Sequence, residues 1–266
     1  VTHESTTSPM HAPMVGLLQE IESYGSCAVA FSGGVDSAVV AKAAQLALGE
    51  RALAVTGKSS SLAKGELEIA RQVAELIGIR HVVIDTEEFS RPEYTRNAPD
   101  RCYHCKSELY DVIHSVEELE GYTILDGAQA SDDATDRPGM VASRERAVKS
   151  PLRKFGIGKA QVRALARQRG LPSWDRPARP CLASRVPVGT QVDGELLKKV
   201  EALEAVLSGE GFSIYRARCS GSRVVVEIKA QELASHCSQG WRRRLDALAS
   251  SLGFSERWLD TRGYGG

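Results

Sequence analysis

Two cysteines in a C-x-x-C spacing, Cys102 and Cys105, are the residues whose type and spacing most directly suggest chemistry. Such a pair can be a redox couple, one corner of a zinc site, part of the ligand set of an iron–sulfur cluster, or two unrelated thiols. A third cysteine, Cys181, follows in the segment RPCLASR. Three thiolates leave one position open on a tetrahedral Zn²⁺ or on a [4Fe-4S] cluster, and a reactive site needs an open position. The alternatives are three unconnected thiols and a closed zinc site completed by His104 or another histidine.

Basic residues flank these three cysteines: Arg101, Lys106, Arg179 and Arg185. Cationic neighbours lower the pKa of a thiol and favour the thiolate, which is both the nucleophile and the metal ligand. We therefore take Cys181 and Lys106 as candidate catalytic residues, and Cys102, Cys105 and Cys181 as candidate metal ligands. The other cysteines lie in strand or helix patterns and are expected to be core or bystander thiols: Cys27, Cys219 and Cys237.

The motif SGGVDS, residues 32–37, follows an apolar strand pattern and precedes an Ala-rich helix pattern. Gly33 and Gly34 let the backbone turn tightly with its N–H groups directed at an anion. The hydroxyls of Ser32 and Ser37 and the N-terminal end of the helix add to this positive environment. The motif predicts a pyrophosphate site in which Asp36 helps to hold Mg²⁺, so Asp36 joins Cys181 and Lys106 as a candidate catalytic residue.

Three further segments are expected to complete a nucleotide site. TGKSS, residues 56–60, is not a Walker A loop because Ala52 stands where that loop needs glycine, so we expect it to contact adenosine or ribose. DGAQASDDATDRPG, residues 126–139, offers Gly127 for close approach to a nucleotide, and Asp132 or Asp133 to orient Mg²⁺ or a substrate group. Lys159 is a candidate for the ATP phosphates. The predicted nucleotide-site residues are Ser32, Gly33, Gly34, Val35, Asp36, Ser37, Thr56, Ser59, Gly127, Gln129, Asp132 and Lys159.

Alternating strand and helix patterns position these loops. Strands are predicted at residues 26–31, 52–56, 81–85 and 122–126, and helices at 37–48, 64–77, 103–118 and 158–170. Apolar strands that alternate with helices predict an α/β, doubly wound, mostly parallel sheet, and ligands bind beyond the carboxyl ends of such strands.

A proline-rich connector at residues 174–188 precedes a second, smaller α/β pattern. It contains helices at 193–207 and 241–252, and strands at 212–219, 223–229 and 257–260. We predict a disordered lead-in over residues 1–14, a nucleotide-binding domain over 15–187, and a small C-terminal α/β domain over 188–266.

The composition narrows the class of protein. The 266 residues contain 34 basic and 34 acidic side chains, and a protein that neutralises many phosphates usually carries a basic excess, so a stable nucleic-acid complex is disfavoured. No apolar run reaches the roughly 20 residues that a spanning helix needs, and the start lacks an apolar signal-peptide core. A cytoplasmic protein without membrane contact is therefore expected.

The motif at residues 32–37 resembles the PP-loop of the ATP pyrophosphatases, which include NAD and GMP synthetases and tRNA thiolation enzymes. These enzymes split ATP between its α- and β-phosphates, transfer AMP to a substrate oxygen, and let a nitrogen or sulfur nucleophile displace the AMP. In order along the chain, SGGVDS, AVTGKSS, RCYHCK, LDGAQASDDATDRPG, SPLRKFGIGKAQVRALA and PSWDRPARPCLASRVPVGT resemble the narrower family of LarE-type sulfur transferases. The match runs over about residues 15–260.

The narrower resemblance implies a reaction, cofactors and a sulfur source. The family uses ATP and Mg²⁺ to adenylate the carboxylates of pyridinium-3,5-biscarboxylic acid mononucleotide, and converts them to thiocarboxylates for the nickel-pincer cofactor of lactate racemase. One branch consumes the cysteine at the position of Cys181, which becomes dehydroalanine. The other binds a [4Fe-4S] cluster through three cysteines and transfers a cluster-bound sulfide. Because Cys102, Cys105 and Cys181 are all present, the cluster branch is favoured.

The resemblance also covers the C-terminal domain and the partners. YRARCSGSRVVVEI places Arg216 and Arg218 as candidates for a substrate phosphate, and Glu227 as a candidate metal ligand. The family implies a homo-oligomer (a hexamer built as a trimer of dimers), a sulfur-supplying system and a downstream nickel-insertion protein. The ending RGYGG departs from the basic residue that usually follows Gly-Tyr in the family, which leaves Arg262 as the candidate for a terminal phosphate contact.

Three rival functions make different predictions. A PP-loop tRNA thiolase shares the phosphate loop and the C-x-x-C, but would need a broad basic surface. An amide-forming synthetase that uses ammonia would not depend on the cysteines. A zinc-stabilised nucleotide-binding module would hold zinc and release no pyrophosphate.

Overall fold

Short apolar runs form the main sheet of the protein, whose computed structural model describes residues 11–132, 138–235 and 240–260. Its strands are β1 (Cys27–Ala30), β2 (Ala52–Lys58), β3 (Arg80–Asp85) and β4 (Thr123–Leu125). The order is β3-β2-β1-β4, and every neighbouring pair is parallel. Strands β2 and β3 therefore lie on one side of β1, and β4 lies on its other side. The carboxyl ends of β1 and β4 thus form a topological switch point, where ligands bind in open α/β sheets.

Alternate residues of the strands enter two apolar clusters, one on each face of the sheet. Val29 and Ala54 belong to one cluster, and their neighbours Ala28 and Val55 belong to the other. The helices of the described chain are α1 (His11–Ser23), α2 (Val35–Leu48), α3 (Glu66–Ile77), α4 (Pro92–Thr95), α5 (Arg101–Ser115), α6 (Pro138–Glu145), α7 (Pro151–Lys154), α8 (Lys159–Gln168), α9 (Gly194–Gly209), α10 (Ala230–Ser235) and α11 (Gly240–Ser251). The first cluster draws on α1, α2, α3 and α8, and the second on α5. A parallel sheet covered on both faces is the predicted fold, and this prediction is confirmed.

The chain divides into two compact units. The first unit holds the described residues of Val1–Ser59, Gly65–Thr86 and Cys102–Ala178, and the second holds those of Ser60–Lys64, Glu87–Arg101 and Arg179–Gly266. The second unit contains a small sheet of β5 (Tyr215–Ser220), β6 (Arg223–Ile228) and β7 (Glu256–Asp260), in which β5 is antiparallel and β7 parallel to β6. Its core includes Trp241, whose ring meets Phe212 edge to face at 5.0 Å between centroids.

The structure differs from the sequence-based boundaries in three places. Helix α1 begins at His11, inside the segment predicted as a lead-in. The two units alternate along the sequence. Residues 60–64 and 87–101 belong to the second unit, so no single boundary after residue 187 separates the units. The predicted extended connector contains the 3-10 turn Leu182–Arg185. None of the helices in the described part of the chain is long and apolar enough to span a bilayer.

Candidate functional site

The loop between β1 and α2 has the geometry of an anion cradle. Gly33 has φ 71°, and a Cβ added there would lie 2.9 Å from the Cα of Ala70, so only glycine fits. Ser37 Oγ accepts from the N–H of Ser32 and lies 3.2 Å from Ser32 Oγ, which closes the loop on itself. Gly34 is the N-cap of α2. The first N–H groups of a helix have no intrahelical acceptor, so those of α2, beginning with Val35, can face an anion.

The loop after β4 lies directly against this cradle. A Cβ on Gly127 would come within 2.8 Å of the main-chain nitrogen of Ser37. The preceding Asp126 is buried, and its carboxylate accepts from Ser150 Oγ at 2.7 Å and from Ala128 N at 3.1 Å. The absence of a Cβ at Gly127 therefore lets the two loops of the switch point touch.

The predicted polar residues of this second loop shape the loop itself. Gln129 is buried, and its Oε1 accepts from the N–H of Ser131 at 2.8 Å. Asp132 Oδ2 accepts from the N–H of Gln129 at 3.0 Å. Asp133, the alternative to Asp132, lies outside the described residues. The nucleotide and Mg²⁺ roles of Gln129 and Asp132 stay predictions.

Lys159 and Asp36, which are 123 positions apart, meet at the cradle. Lys159 Nζ lies 2.6 Å from Asp36 Oδ2, and the N–H of Lys159 donates to Ser131 Oγ. The other carboxylate oxygen, Asp36 Oδ1, is buried and has no hydrogen-bond partner among the described residues. Carboxylate oxygens are preferred ligands of Mg²⁺, so this orphaned oxygen fits the predicted magnesium role of Asp36.

The hydroxyl of Thr56, a residue predicted to contact the nucleoside, connects three neighbouring strands of the sheet. The three residues concerned are Thr56 inside β2, Phe31 just after β1 and His81 near the start of β3. The buried Thr56 hydroxyl donates to the main-chain oxygen of Phe31 at 2.7 Å and lies 2.8 Å from His81 Nε2. Since the hydroxyl hydrogen is used for Phe31, His81 must donate from Nε2. Burial and the charge of Arg71 lower the pKa of His81, which agrees with a neutral ring. The predicted contacts of Thr56 and of the half-buried Ser59 with a nucleoside stay predictions.

Helix α5 carries the C-x-x-C pair and connects it to the switch point. Cys102 is exposed and Cys105 half-buried, three positions apart and therefore on one face of the helix. Lys106 Nζ donates to the Tyr110 hydroxyl at 3.1 Å, and this hydroxyl lies 3.4 Å from Asp126 Oδ2. Burial alone would lower the pKa of Lys106, but Tyr110, Asp126 and Cys105 outweigh it, so the pKa is raised above its ordinary value. Lys106 therefore stays charged beside Cys105.

Cys181 lies in the second unit at the start of a tightly held turn, with its own side chain exposed. Arg185 donates to the main-chain oxygens of Pro180 at 2.6 Å and of Cys181 at 3.2 Å. It also forms a buried, two-bond ion pair with Glu204, at 2.8 and 3.0 Å. Its charge is thus neutralised by Glu204, and its contact with Cys181 is to the backbone.

The predicted phosphate and metal residues of the second unit form an ion pair on neighbouring strands. Arg218 Nε lies 2.6 Å from Glu227 Oε1, and Arg216 is opposite Glu227 in the β5–β6 register. Glu227 Oε2 is buried and has no hydrogen-bond partner among the described residues. The orphaned oxygen of Glu227 is compatible with the predicted role of this residue as a metal ligand. The neighbouring Arg218 is compatible with its own predicted role as a contact of the substrate phosphate. Arg262 and the RGYGG ending lie outside the described residues.

The structure assigns the cysteines to different places. Cys27 and Cys219 are buried, as expected for core thiols, whereas Cys237 lies outside the described residues. Cys102 and Cys105 belong to the first unit and Cys181 to the second. Within the described residues no three His, Cys, Asp or Glu side chains are arranged to hold a metal ion. The role of Cys102, Cys105 and Cys181 as one ligand set stays a prediction.

Several polar residues that organise these sites were not predicted: Asn97, Tyr110, Asp126 and Ser131. Asp126 ends a predicted strand in front of a glycine, which is a signal that sequence reading could have used. The partners of Tyr110 and Asn97 are distant in sequence, and no local pattern marks them.

Comparison with known proteins places the chain in a family. A family model described as NAD synthase matches residues 14–102. An uncharacterized protein of Synechocystis sp. is 38% identical over 237 residues, which cover 89% of this chain and 88% of that protein. The pyridinium-3,5-bisthiocarboxylic acid mononucleotide synthase of Lactiplantibacillus plantarum is 29% identical over 262 residues, covering 98% of this chain and 93% of that enzyme.

A tRNA-specific 2-thiouridylase of Beijerinckia indica is 30% identical over 186 residues, which cover 56% of this chain and 43% of that enzyme. Its similarity is thus partial, whereas the similarity to the Synechocystis protein extends over most of both chains. This chain belongs to the same family as the Synechocystis protein, and its parallel sheet and phosphate loop are those of the NAD-synthase-like PP-loop proteins.

Proposed function

We propose that the protein is an ATP-dependent sulfur transferase that converts the carboxylates of pyridinium-3,5-biscarboxylic acid mononucleotide to thiocarboxylates, for the nickel-pincer cofactor of lactate racemase. The observation that carries the proposal is the cradle at residues 32–37, with Gly127 against it and Lys159 and Asp36 beside it. The product named for the L. plantarum relative supports the choice of substrate.

The cradle suits the first half of the reaction. A substrate carboxylate oxygen attacks the α-phosphorus of ATP, the bond from that phosphorus to the β-phosphate oxygen breaks, and pyrophosphate leaves. The N–H groups at the start of α2 stabilise the negative charge that develops on pyrophosphate. Lys159 adds a positive charge, and Asp36 Oδ1 would hold the Mg²⁺ that neutralises phosphate charge. The product of this half is an acyl adenylate.

The second half needs a sulfur nucleophile, which attacks the acyl carbon while the bond to AMP breaks. In the version favoured by the resemblance, Cys102, Cys105 and Cys181 would hold a [4Fe-4S] cluster, which when bound would supply a sulfide. Lys106 keeps a positive charge beside Cys105 and so favours its thiolate. Arg216 and Arg218 would bind the substrate phosphate, and Glu227 a metal ion.

A second version uses Cys181 itself, whose side chain is exposed. The Cys181 sulfur attacks the acyl adenylate and forms a thioester as AMP leaves. Loss of the Cα proton then breaks the Cβ–S bond, which leaves a thiocarboxylate on the substrate and dehydroalanine at position 181. The atoms balance without a further oxidant or reductant.

One measurement separates the two versions. Wild-type protein purified without oxygen should contain about four irons per chain, and the Cys102→Ala variant should lack this iron. The wild type should release pyrophosphate from ATP only with Mg²⁺ and the biscarboxylate substrate. Cys219→Ala, at a buried thiol of the small sheet, is the matched control and should keep its iron. Iron-free active protein whose Cys181 has lost the mass of H₂S after turnover would establish the sacrificial version. Absence of pyrophosphate release under all conditions would refute the proposal as a whole.

The proposal includes partners that require separate tests. It implies a sulfur-supplying system, a nickel-insertion protein that takes the product, a cytoplasmic location and a homo-oligomer, for which a hexamer is the family expectation. The thiouridylase similarity makes tRNA the alternative substrate. Tight, salt-sensitive tRNA binding in a filter assay would favour that alternative, and we expect weak binding because the net charge is zero.

A further inference from the structure

The segment just before the cysteine pair, residues 97–101, is bonded to the loop that follows Cys181. Asn97 is completely buried, and its Nδ2 donates to the main-chain oxygens of Thr190 at 2.8 Å and Pro187 at 2.9 Å. The oxygen of Val186 lies at 3.3 Å from the same nitrogen. Since an amide has two N–H hydrogens, one of them is shared between two of these oxygens. A single side chain therefore holds three carbonyls of one loop.

The backbone of Asn97 contributes to the same clamp. Its φ is 53°, in the left-handed region that glycine and asparagine tolerate best. Its main-chain oxygen accepts from the N–H of Gly189 at 2.9 Å. Glycine could adopt this backbone conformation but would offer no amide. The position therefore needs both properties of asparagine.

Arg101 extends the clamp toward Cys181. Its Nη1 donates to Asn97 Oδ1 and to the main-chain oxygen of Ala183, the latter at 2.8 Å. Ala183 lies two residues after Cys181, and Arg101 is the residue before Cys102. All of these contacts lie within the second unit, and the connection to Cys102 is the peptide bond itself. The loop at residues 183–190, which we call the Cys181 loop, is therefore hydrogen-bonded to Arg101, the first residue of α5.

We propose that Asn97 and Arg101 are positioning residues that fix the backbone of the Cys181 loop, and thereby the orientation in which the Cys181 thiol is presented for sulfur transfer. Neither side chain contacts the reacting atoms in this role; both act through the backbone of residues 183–190. The inference rests on the proposed function for what the thiols do, but the clamp is tested without ATP, substrate or iron.

The experiment uses the reduced, metal-free, full-length protein and measures two quantities: hydrogen–deuterium exchange of the peptide that contains residues 183–190, and the alkylation rate of Cys181 by iodoacetamide relative to that of Cys102. Asn97→Gly keeps the left-handed backbone but removes the amide, and should speed exchange in this peptide at least tenfold and change the relative alkylation rate of Cys181. Arg101→Lys keeps the charge but not the two-acceptor geometry, and should act in the same direction. Arg96→Ala, which removes the exposed Arg96–Asp100 pair, is the matched control and should behave like the wild type in both measurements.

Two further readouts make the result decisive. Thermal melting reports whether each variant folds; if Asn97→Gly fails to fold, Arg101→Lys decides. With ATP and substrate, both variants should still release pyrophosphate but form thiocarboxylate at least tenfold more slowly, a separation that a general loss of structure would not give. Wild-type exchange and wild-type relative alkylation in both variants would overturn the inference. Faster exchange in the variants combined with no ATP-dependent pyrophosphate release in the wild type would refute the proposed function and leave the clamp intact.

Discussion

Gly127 is the residue at which the two loops of the switch point come closest. We predict that Gly127→Ala lowers ATP affinity at least tenfold, about 1.4 kcal/mol, because a Cβ 2.8 Å from Ser37 N forces the cradle apart. Titration calorimetry with ATP and Mg²⁺ measures this change. Gly209→Ala is the control, since no atom lies within 4 Å of the added Cβ and the site is at the end of α9. Equal affinity in Gly127→Ala and wild type would contradict the cradle.

A substitution at Lys159 distinguishes a role in protein stability from a role in ATP binding. Its ion pair with Asp36 is partly exposed, and such pairs contribute about 0–1 kcal/mol to the free energy of unfolding. We therefore expect Lys159→Met to unfold at nearly the wild-type temperature but to bind ATP at least about tenfold more weakly. Lys198→Met, which removes an exposed pair with Glu195, should change neither quantity. A large fall in melting temperature with unchanged ATP binding would assign Lys159 a structural role.

At the scale of elements, the turn Leu182–Arg185 is attached to α9 by one buried ion pair. Removing Arg185 leaves the buried Glu204 carboxylate without its positive partner, and the main-chain oxygens of Pro180 and Cys181 lose a donor. We predict that Arg185→Met lowers the free energy of unfolding by about 3–5 kcal/mol, measured by denaturant unfolding followed through a probe in the second unit.

The double variant Arg185→Met/Glu204→Met tests the physical reason. Replacing both charges by apolar side chains removes the unpaired buried carboxylate, so much of the lost stability should return. Recovery should be incomplete, because the N–H of Ala217 also donates to Glu204 and a buried unpaired N–H costs about 1–3 kcal/mol. If the double variant is less stable than Arg185→Met, the loss comes from packing and not from the charge.

At the scale of the whole molecule, the described cysteines fall into two reactivity classes. Cys27 and Cys219 are buried, and burial raises the pKa of each to about 12. At pH 8 only on the order of one in ten thousand of these thiols is ionised, and the thiolate is the reacting form. We expect iodoacetamide to label the exposed Cys102 and Cys181 at least about 100-fold faster, measured for each peptide by mass spectrometry. Fast labelling of Cys219 in folded protein would show that the small sheet opens readily.

Much of the first unit was predictable because its signals are local. Apolar runs and glycine turns locate strands and helices whose observed ends differ by only a few residues from the predicted ones, as for the strand β2 and the helix α3. The SGGVDS motif lies between a strand and a helix in both the sequence pattern and the structure. Helix α1 was not predicted, and its first residues lie in the segment predicted as a disordered lead-in.

The sequence by itself determined the parallel α/β class, the phosphate loop and the three cysteines that could carry sulfur chemistry, because each depends on residue types and on patterns that are local to short segments of the chain. Only the tertiary structure decided that Gly127 touches the helix behind the loop, that Lys159 meets Asp36, and that Asn97 and Arg101 hold the loop after Cys181. These contacts join residues tens of positions apart. Buried polar groups find such partners wherever the fold brings a carbonyl or carboxylate within reach, and no periodicity in the chain records that choice.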